Sequence, residues 1–266
     1  MQFPRRQYLD LNLTFPLERI VTIPNGVDDW RRTPGNRDWA RARWGVRDEY
    51  VFVSLGRHCL QKNTYGLVAA FEDVAERHPE AHLVIAGRPD DAVYFTQVMR
   101  LRAALACRDR IHLRDHTSNP AELLALADGF VLDSFFEAGP LVSMEALHAG
   151  VPVVISEVGE AREQVGDGGT RGHVVPNPLG DPLRVNWETI REARYARQVN
   201  REALVAAMSS LIADRAIWLA ARQRLMSEST ARFHPDVCLR SHARVLAAAA
   251  SGEPLLREGA LPGERS

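Results

Sequence analysis

The feature that most constrains the fold of this 266-residue chain is a regular alternation of short apolar runs with amphipathic segments between residues 50 and 175. The apolar runs, rich in Val, Ile and Leu, are residues 50–56, 81–87, 111–113, 129–132, 151–155 and 172–175. Such runs are typical of strands buried on both faces. Helical spacing predicts helices over 38–44, 63–78, 92–107, 119–127 and 141–149. The alternation predicts an α/β fold: a doubly wound, Rossmann-like parallel sheet with helices on both faces.

The remaining segments divide the chain further. The pattern of residues 19–28 predicts a short strand that ends at a Pro-Asn-Gly turn. The pattern of residues 187–250 predicts helices, with helix ends near Asp214 and His234. We expect a linker-like segment over 1–18, one domain over 19–233, a C-terminal helix over 234–250 and a disordered tail over 251–266.

Composition and charge exclude several classes of protein. The 33 basic and 34 acidic residues nearly cancel, so no whole-chain field attracts nucleic acid. No apolar run approaches the roughly 18–20 residues of a membrane span, and the first residues do not resemble a signal peptide. Three widely spaced cysteines, Cys59, Cys107 and Cys238, indicate reduced thiols. We therefore expect a cytoplasmic protein without a transmembrane segment.

Three nucleotide-binding and metal-binding motifs are absent from the sequence. There is no G-x-G-x-x-G after the first strand, no G-x-x-x-x-G-K-[ST] phosphate loop and no D-x-D triplet. NAD enzymes, P-loop NTPases and metal-dependent transferases are accordingly disfavoured, and we expect neither a bound metal nor a resident cofactor.

The loop after the first predicted strand carries two cations. Ligands of open parallel sheets bind at the carboxyl ends of the strands. There, Gly56 is followed by Arg57 and, five residues later, by Lys62, just before a predicted helix. The 33 basic residues comprise 32 arginines and this single lysine. Arg, Lys and a helix N-terminus together suit a diphosphate. A pair of solvated cations is the alternative interpretation.

A second constellation follows the strand at residues 129–132. Glu137 lies in the loop, and Glu145 lies eight residues later in the following helix, about 12 Å along the axis if the whole segment is helical. Between them, Gly139 and Leu141 can offer backbone N–H groups to phosphate or sugar oxygens. The arrangement favours one ligand across the helix start. The alternative is a stabilising acid near a helix N-terminus and a surface glutamate.

These motifs resemble a known family. Over about residues 19–250, the chain resembles the C-terminal, nucleotide-sugar-binding half of GT-B retaining glycosyltransferases of the family-4 group. The resemblance rests on Ile23-Pro-Asn-Gly-Val-Asp28, on Gly56-Arg57 with Lys62, on Glu137 with Glu145, on Val151-Pro-Val-Val, and on Gly159 with Glu163.

The resemblance implies transfer of a hexose from a nucleotide diphosphate sugar to a hydroxyl acceptor, with retained anomeric configuration and without a metal. It implies catalytic roles for Arg57 and Lys62, which would stabilise the departing diphosphate, and for Glu137, which would bind the donor sugar. Glu145 would bind the ribose, and the loop after Leu113 would lie near the base. The remaining implied donor contacts are Gly56, Gly139, Leu141 and Val142.

The chain also departs from that family. Ala138-Gly139-Pro140 stands where Gly-Phe-Gly is frequent. Arg191, Arg194 and Arg197 are predicted to share one helix face, either solvated or in contact with a membrane or acceptor. The acceptor-binding half of such enzymes has no counterpart here, so we expect weak transfer or none by this chain alone. The alternatives are a non-catalytic nucleotide-sugar-binding module that acts with a partner chain, and a GT-B type epimerase or hydrolase.

Overall fold

The computed structural model describes residues 21–27, 36–115 and 119–252. Its centre is a six-stranded sheet in the order β3-β2-β1-β4-β5-β6, in which every neighbouring pair is parallel. The strands are β1 (Tyr50–Leu55), β2 (Ala81–Ala86), β3 (Ile111–Arg114), β4 (Gly129–Leu132), β5 (Val153–Ser156) and β6 (Gly172–Val175). The sheet confirms the predicted doubly wound α/β fold.

Ten α-helices accompany the strands within the described residues. They are α1 (Arg37–Arg43), α2 (Thr64–Arg77), α3 (Ala92–Ala104), α4 (Pro120–Leu126), α5 (Leu141–His148), α6 (Ala161–Val165), α7 (Trp187–Ala193), α8 (Arg201–Ala213), α9 (Arg215–Arg232) and α10 (Pro235–Ser251). The predicted start of α4 is confirmed, because the Asn119 side chain caps the helix and Pro120 occupies its first turn.

The two faces of the sheet bury separate cores. Val51, Val53 and Leu55 of β1 pack with residues of α1, α4, α5 and α6, whereas Tyr50 and Phe52 pack with residues of α2, α3 and α8. This alternation follows from the two-residue period of a strand. Because helices cover both faces, the carboxyl edge of the sheet is where a ligand can reach the strands' loops.

One buried carboxylate fastens helices to the opposite, amino edge of the sheet. The side chain of Asp128, which precedes β4, is 1% exposed. It accepts hydrogen bonds from Arg37 (2.6 Å), Arg41 (3.0 Å) and the backbone N–H of Val51 (3.0 Å), and Arg215 lies 3.4 Å away. Three guanidinium groups from α1 and α9 therefore share one acid, and we call this group the Asp128 cluster.

Two expectations about local structure are wrong. Residues 21–27 form no strand; this segment instead runs past the end of α9, where the N–H of Val27 donates to Phe233 O at 2.9 Å. Arg191, Arg194 and Arg197 do not share a helix face, because α7 ends at Ala193. There the Gln198 side chain donates to Ala193 O and Ala196 O and turns the chain.

The predicted segment 1–18 and most of the predicted tail lie outside the described residues, whereas the predicted C-terminal helix corresponds to α10. Within the described part of the chain, no single helix is long and apolar enough to span a membrane. One pair of segments, Arg201–Ala213 and Arg215–Ser251, has the required length and composition when taken together, but the two are bent by 86° relative to each other.

Candidate functional site

The candidate site lies where β1 and β4 are neighbours, because the strand order reverses there and the helices that follow, α2 and α5, pack on opposite faces of the sheet. The loop after β1 and the loop after β4 are joined by backbone and side-chain hydrogen bonds. Phe135 N–H donates to Gln61 O at 2.9 Å, and the Gln61 side chain donates to Phe136 O at 3.0 Å. The two predicted motifs therefore meet in one place, although some 75 residues separate them in sequence.

Lys62 and Glu137 form an ion pair across these loops. Lys62 Nζ lies 2.6 Å from Glu137 Oε1, which also accepts a hydrogen bond from Ser134 Oγ at 2.7 Å. The side chains are 17% and 10% exposed, so water screens the pair only in part. Gly56 makes room for it: a Cβ on Gly56 would lie 3.2 Å from Lys62 Cε.

Arg57 has a different partner from Lys62. It forms an ion pair with Asp90 in the loop after β2, and both side chains are well exposed. The sequence predicts both cations at one diphosphate, but the structure directs Lys62 towards β4 and Arg57 towards β2. Each cation is thus neutralised by its own carboxylate.

A buried clamp lies beneath the ion pair. Asp133 accepts hydrogen bonds from the side-chain amides of Asn63 (2.8 Å) and Asn200 (2.7 Å). Asn63 follows Lys62 directly and adopts the left-handed conformation at φ 51°, which costs a non-glycine residue energy and needs surrounding contacts to persist. Burial raises the pKa of Asp133 to about 7, against the lowering effect of the two amides. The clamp sets the direction in which the chain leaves Lys62.

His58 anchors the other end of the same loop. This fully buried ring donates from Nε2 to Arg114 O at 2.8 Å, and its backbone N–H donates to Arg88 O. Burial lowers the pKa of His58 below its ordinary value, which favours the neutral ring. Sequence reasoning missed four residues, although each lies in a segment that links a strand to the next helix: His58, Asn63, Asp90 and Asp133.

Four side-chain amides hold the carbonyl groups of residues 135–140, which we call the 135–140 loop. The donors and acceptors are Asn177 to Phe135 O (2.8 Å), Gln61 to Phe136 O (3.0 Å), Asn25 to Gly139 O (3.0 Å) and Gln164 to Pro140 O (3.2 Å). These carbonyl oxygens are thus already occupied. What the loop and the first turn of α5 can offer an incoming group is backbone N–H donors.

The start of α5 supplies further positive potential. Helix α5 begins at Leu141, so Leu141 and Val142 belong to the first turn, whose N–H groups have no intrahelical acceptor. Because residues 137–140 are not helical, Glu145 is only four residues into the helix, about 6 Å along its axis rather than 12 Å. Glu145 is 6% exposed, not a surface residue.

The geometry therefore joins an ammonium group, a carboxylate and a helix start at one crevice, which suits an anionic group linked to a hydroxyl-bearing group. Among the described residues, no group of three or more His, Cys, Asp or Glu side chains is placed to hold a metal ion. The three cysteines are free thiols.

Sequence comparison identifies relatives of this chain among known proteins. The profile of the family described as "Glycosyl transferases group 1" matches residues 36–182. Glycogen synthase of Mycobacterium tuberculosis is 32% identical over 196 residues, which cover 68% of this chain and 44% of that protein. D-inositol 3-phosphate glycosyltransferase of Mycolicibacterium smegmatis is 31% identical over 242 residues, which cover 85% and 52%. The chain thus spans about half the length of these curated relatives.

Solved structures share the fold at low sequence identity. Sucrose-phosphate synthase of Thermosynechococcus elongatus has a TM-score of 0.69 at 19% identity, with 95% of this chain and 58% of that one covered. Anabaena HepE, solved with UDP and glucose, has a TM-score of 0.63 at 17% identity, with 91% and 60% covered. Both neighbours are GT-B enzymes, in agreement with the predicted fold. From the family match over more than half of its length, this chain belongs to the group 1 glycosyltransferase family.

Proposed function

We propose that this chain binds a nucleotide diphosphate sugar at the crevice between β1 and β4 and provides the donor site for transfer of a hexose to a hydroxyl acceptor. The Lys62–Glu137 pair at the start of α5 carries the proposal. A diphosphate can replace Glu137 as the partner of Lys62, while the sugar hydroxyls replace Lys62 as donors to Glu137. The UDP and glucose bound to HepE, a neighbour in fold, support this choice of ligand.

The diphosphate would lie over the loop after β1 and the first turn of α5. Lys62 and the N–H groups of Leu141 and Val142 would bind its oxygens, and Arg57 would join them after leaving Asp90. The Arg57–Asp90 pair is exposed, so breaking it costs little. Glu145, further into α5, would bind the ribose hydroxyls.

In the proposed reaction, the bond between the anomeric carbon and the diphosphate oxygen breaks as the acceptor oxygen forms its bond to the same carbon. Negative charge develops on the departing diphosphate, and Lys62, Arg57 and the N–H dipoles at the start of α5 would lower the barrier by stabilising that charge. We propose retention of configuration, with attack from the face that the diphosphate leaves and transfer of the acceptor proton to a diphosphate oxygen. No metal ion is required in this scheme.

Thermal shift and calorimetry with UDP, GDP, ADP and their sugars test the donor site. A ligand at 100 times its dissociation constant should stabilise the native state by about 2.7 kcal/mol. Binding of at least one nucleotide sugar, with free inorganic phosphate as the weak reference ligand, supports the proposal. Failure of all of them to bind the folded chain would refute it.

We also propose that the acceptor is positioned by residues outside this fold, because every site residue named above is assigned to the donor in this proposal. Transfer that appears only when a second polypeptide is added would support this. Rapid transfer by the chain alone, near the ordinary enzyme scale of about 1 per second, would contradict it.

Substitutions of the two glutamates, Glu137 and Glu145, are expected to affect the binding of different ligands. Glu145→Gln should weaken binding of both the nucleoside diphosphate and its sugar by roughly tenfold, the worth of a hydrogen bond to a charged group. Glu137→Gln should weaken only the nucleotide sugar, since a sugar-free ligand offers Glu137 no hydroxyl. Isothermal calorimetry on each variant with each ligand gives the four affinities. Equal losses of free diphosphate affinity in the two variants would rule out this division.

A further inference from the structure

Behind the 135–140 loop lies a buried carboxyl group, one oxygen of which has no hydrogen-bond partner among the described residues. This group belongs to Glu160, which is 5% exposed; its Oε2 atom is shielded from water and makes no hydrogen bond within the part of the chain that the structure describes. It is the one carboxylate oxygen in that condition within the described ranges 21–27, 36–115 and 119–252. A buried acid without a partner is costly and therefore calls for an explanation.

The position of Glu160 links it to the loop. Gly159, at φ +44°, packs so closely that a Cβ there would lie 2.0 Å from Ala138 O. The next residue, Glu160, places Oε2 2.8 Å from the point where a Cβ on Gly139 would be. Asn25 Nδ2 lies 2.9 Å from that same point and donates to Gly139 O. The carboxyl group thus packs directly behind the turn that leads into α5.

The charge of Glu160 depends on pH near neutrality. Burial and the neighbouring Glu163 of α6 raise the pKa of Glu160 to about 7, and Arg232 at the end of α9 acts in the opposite direction. Asn25, which also lies next to Gly139, is uncharged. Above this pH the loop has a negative charge behind it, and below this pH it has a neutral carboxyl group.

We propose that Glu160 is a positioning residue of the donor site, whose neutral form supports binding of a diphosphate diester at the 135–140 loop and whose ionised form opposes it. The inference rests on the proposed function. An ionised Glu160 repels the diphosphate through the poorly screened loop, so the ligand and the proton favour each other. Linkage then requires that donor binding raise the affinity of Glu160 for its proton.

A nucleotide sugar is the suitable probe, because its diphosphate is a diester and lacks the titration near pH 6 of a terminal phosphate. The affinity of the wild-type chain for its best nucleotide sugar should fall about tenfold between pH 6 and pH 8.5. In Glu160→Gln, which preserves shape without charge, the affinity should fall clearly less over the same range. Asp133 titrates in the same range but is present in both proteins, so the difference reports Glu160.

Calorimetry at pH 7.5 in buffers of different ionisation enthalpy gives a second readout. The wild-type chain should take up a fraction of a proton on binding, and Glu160→Gln should take up less. The matched control is Glu157→Gln, which removes a partly exposed acid paired with Arg162 in the same loop after β5 and should leave the pH profile unchanged. Glu163→Gln should move the midpoint of the profile to lower pH, because it removes a negative neighbour.

The outcomes are distinct. A chain that binds no nucleotide sugar refutes the proposed function and this inference with it. A chain that binds one with the same pH profile and proton uptake in wild type and Glu160→Gln refutes only the role of Glu160. Should Glu160→Gln not fold, the midpoint in Glu163→Gln decides: an unmoved midpoint overturns the inference and a lowered one supports it.

Discussion

Replacing Asp128 with asparagine is expected to lower the free energy of unfolding by about 3–5 kcal/mol, the usual cost of breaking a buried ion pair from one side. The variant keeps the volume of the side chain but leaves the guanidinium groups of Arg37, Arg41 and Arg215 without their shared anion. It also replaces an acceptor with an N–H₂ donor that faces other donors. Urea denaturation followed by both fluorescence and circular dichroism measures the loss.

A matched control for the Asp128 cluster is Glu202→Gln. Glu202 pairs with Arg197 at 3.5 Å, but its side chain is 91% exposed. Removing that charge should change stability by less than about 1 kcal/mol. An equally small loss in Asp128→Asn would show that the cluster is not what fastens α1 and α9 to the sheet.

Lys62→Met is expected to weaken binding of a nucleoside diphosphate by about 1.5–3 kcal/mol, or roughly 10- to 150-fold in dissociation constant. The substitution keeps the apolar stem and removes the ammonium group that would face the diphosphate. It also leaves Glu137, which is 10% exposed, as an unpaired anion beside the ligand. Isothermal calorimetry at fixed ionic strength measures the effect.

Two further variants separate these causes. Lys62→Met combined with Glu137→Gln should recover part of the affinity, because the unpaired anion is gone while the cation is still missing. Arg100→Met removes an exposed positive charge from α3 and should leave diphosphate binding unchanged. Unchanged affinity in a folded Lys62→Met variant would remove Lys62 from the site.

The order of strands and helices was accessible from sequence because each element carries its own local pattern. The run at 129–132 and the Asn-Pro start of α4 correspond to the structure residue for residue. Local pattern also explains the failures. The apolar residues near position 21 resemble a strand, yet the described residues 21–27 join no strand, and Val27 of this segment instead donates its N–H to Phe233 O at the end of α9.

The candidate site was predictable as a set of loops but not as a set of contacts. The rule for parallel sheets brings Lys62 and Glu137 to one edge, but only the fold shows that they pair with each other and that Arg57 turns to Asp90. The only sequence feature that points to Glu160 is the preceding glycine, Gly159, in a loop at the same carboxyl edge of the sheet. That its Oε2 atom has no hydrogen-bond partner among the described residues depends on packing between segments distant in sequence, which composition and spacing do not reveal.

The Lys62–Glu137 pair has a consequence for the end of the proposed catalytic cycle. Before reaction, the bound donor would satisfy both residues, the lysine through its diphosphate and the glutamate through its sugar. After transfer, the remaining nucleoside diphosphate would satisfy only Lys62, while Glu137 would again be an anion within reach of that lysine. The glutamate would then compete intramolecularly with the spent nucleotide for one cation. The same contact that recognises the intact donor would thereby hasten departure of the product.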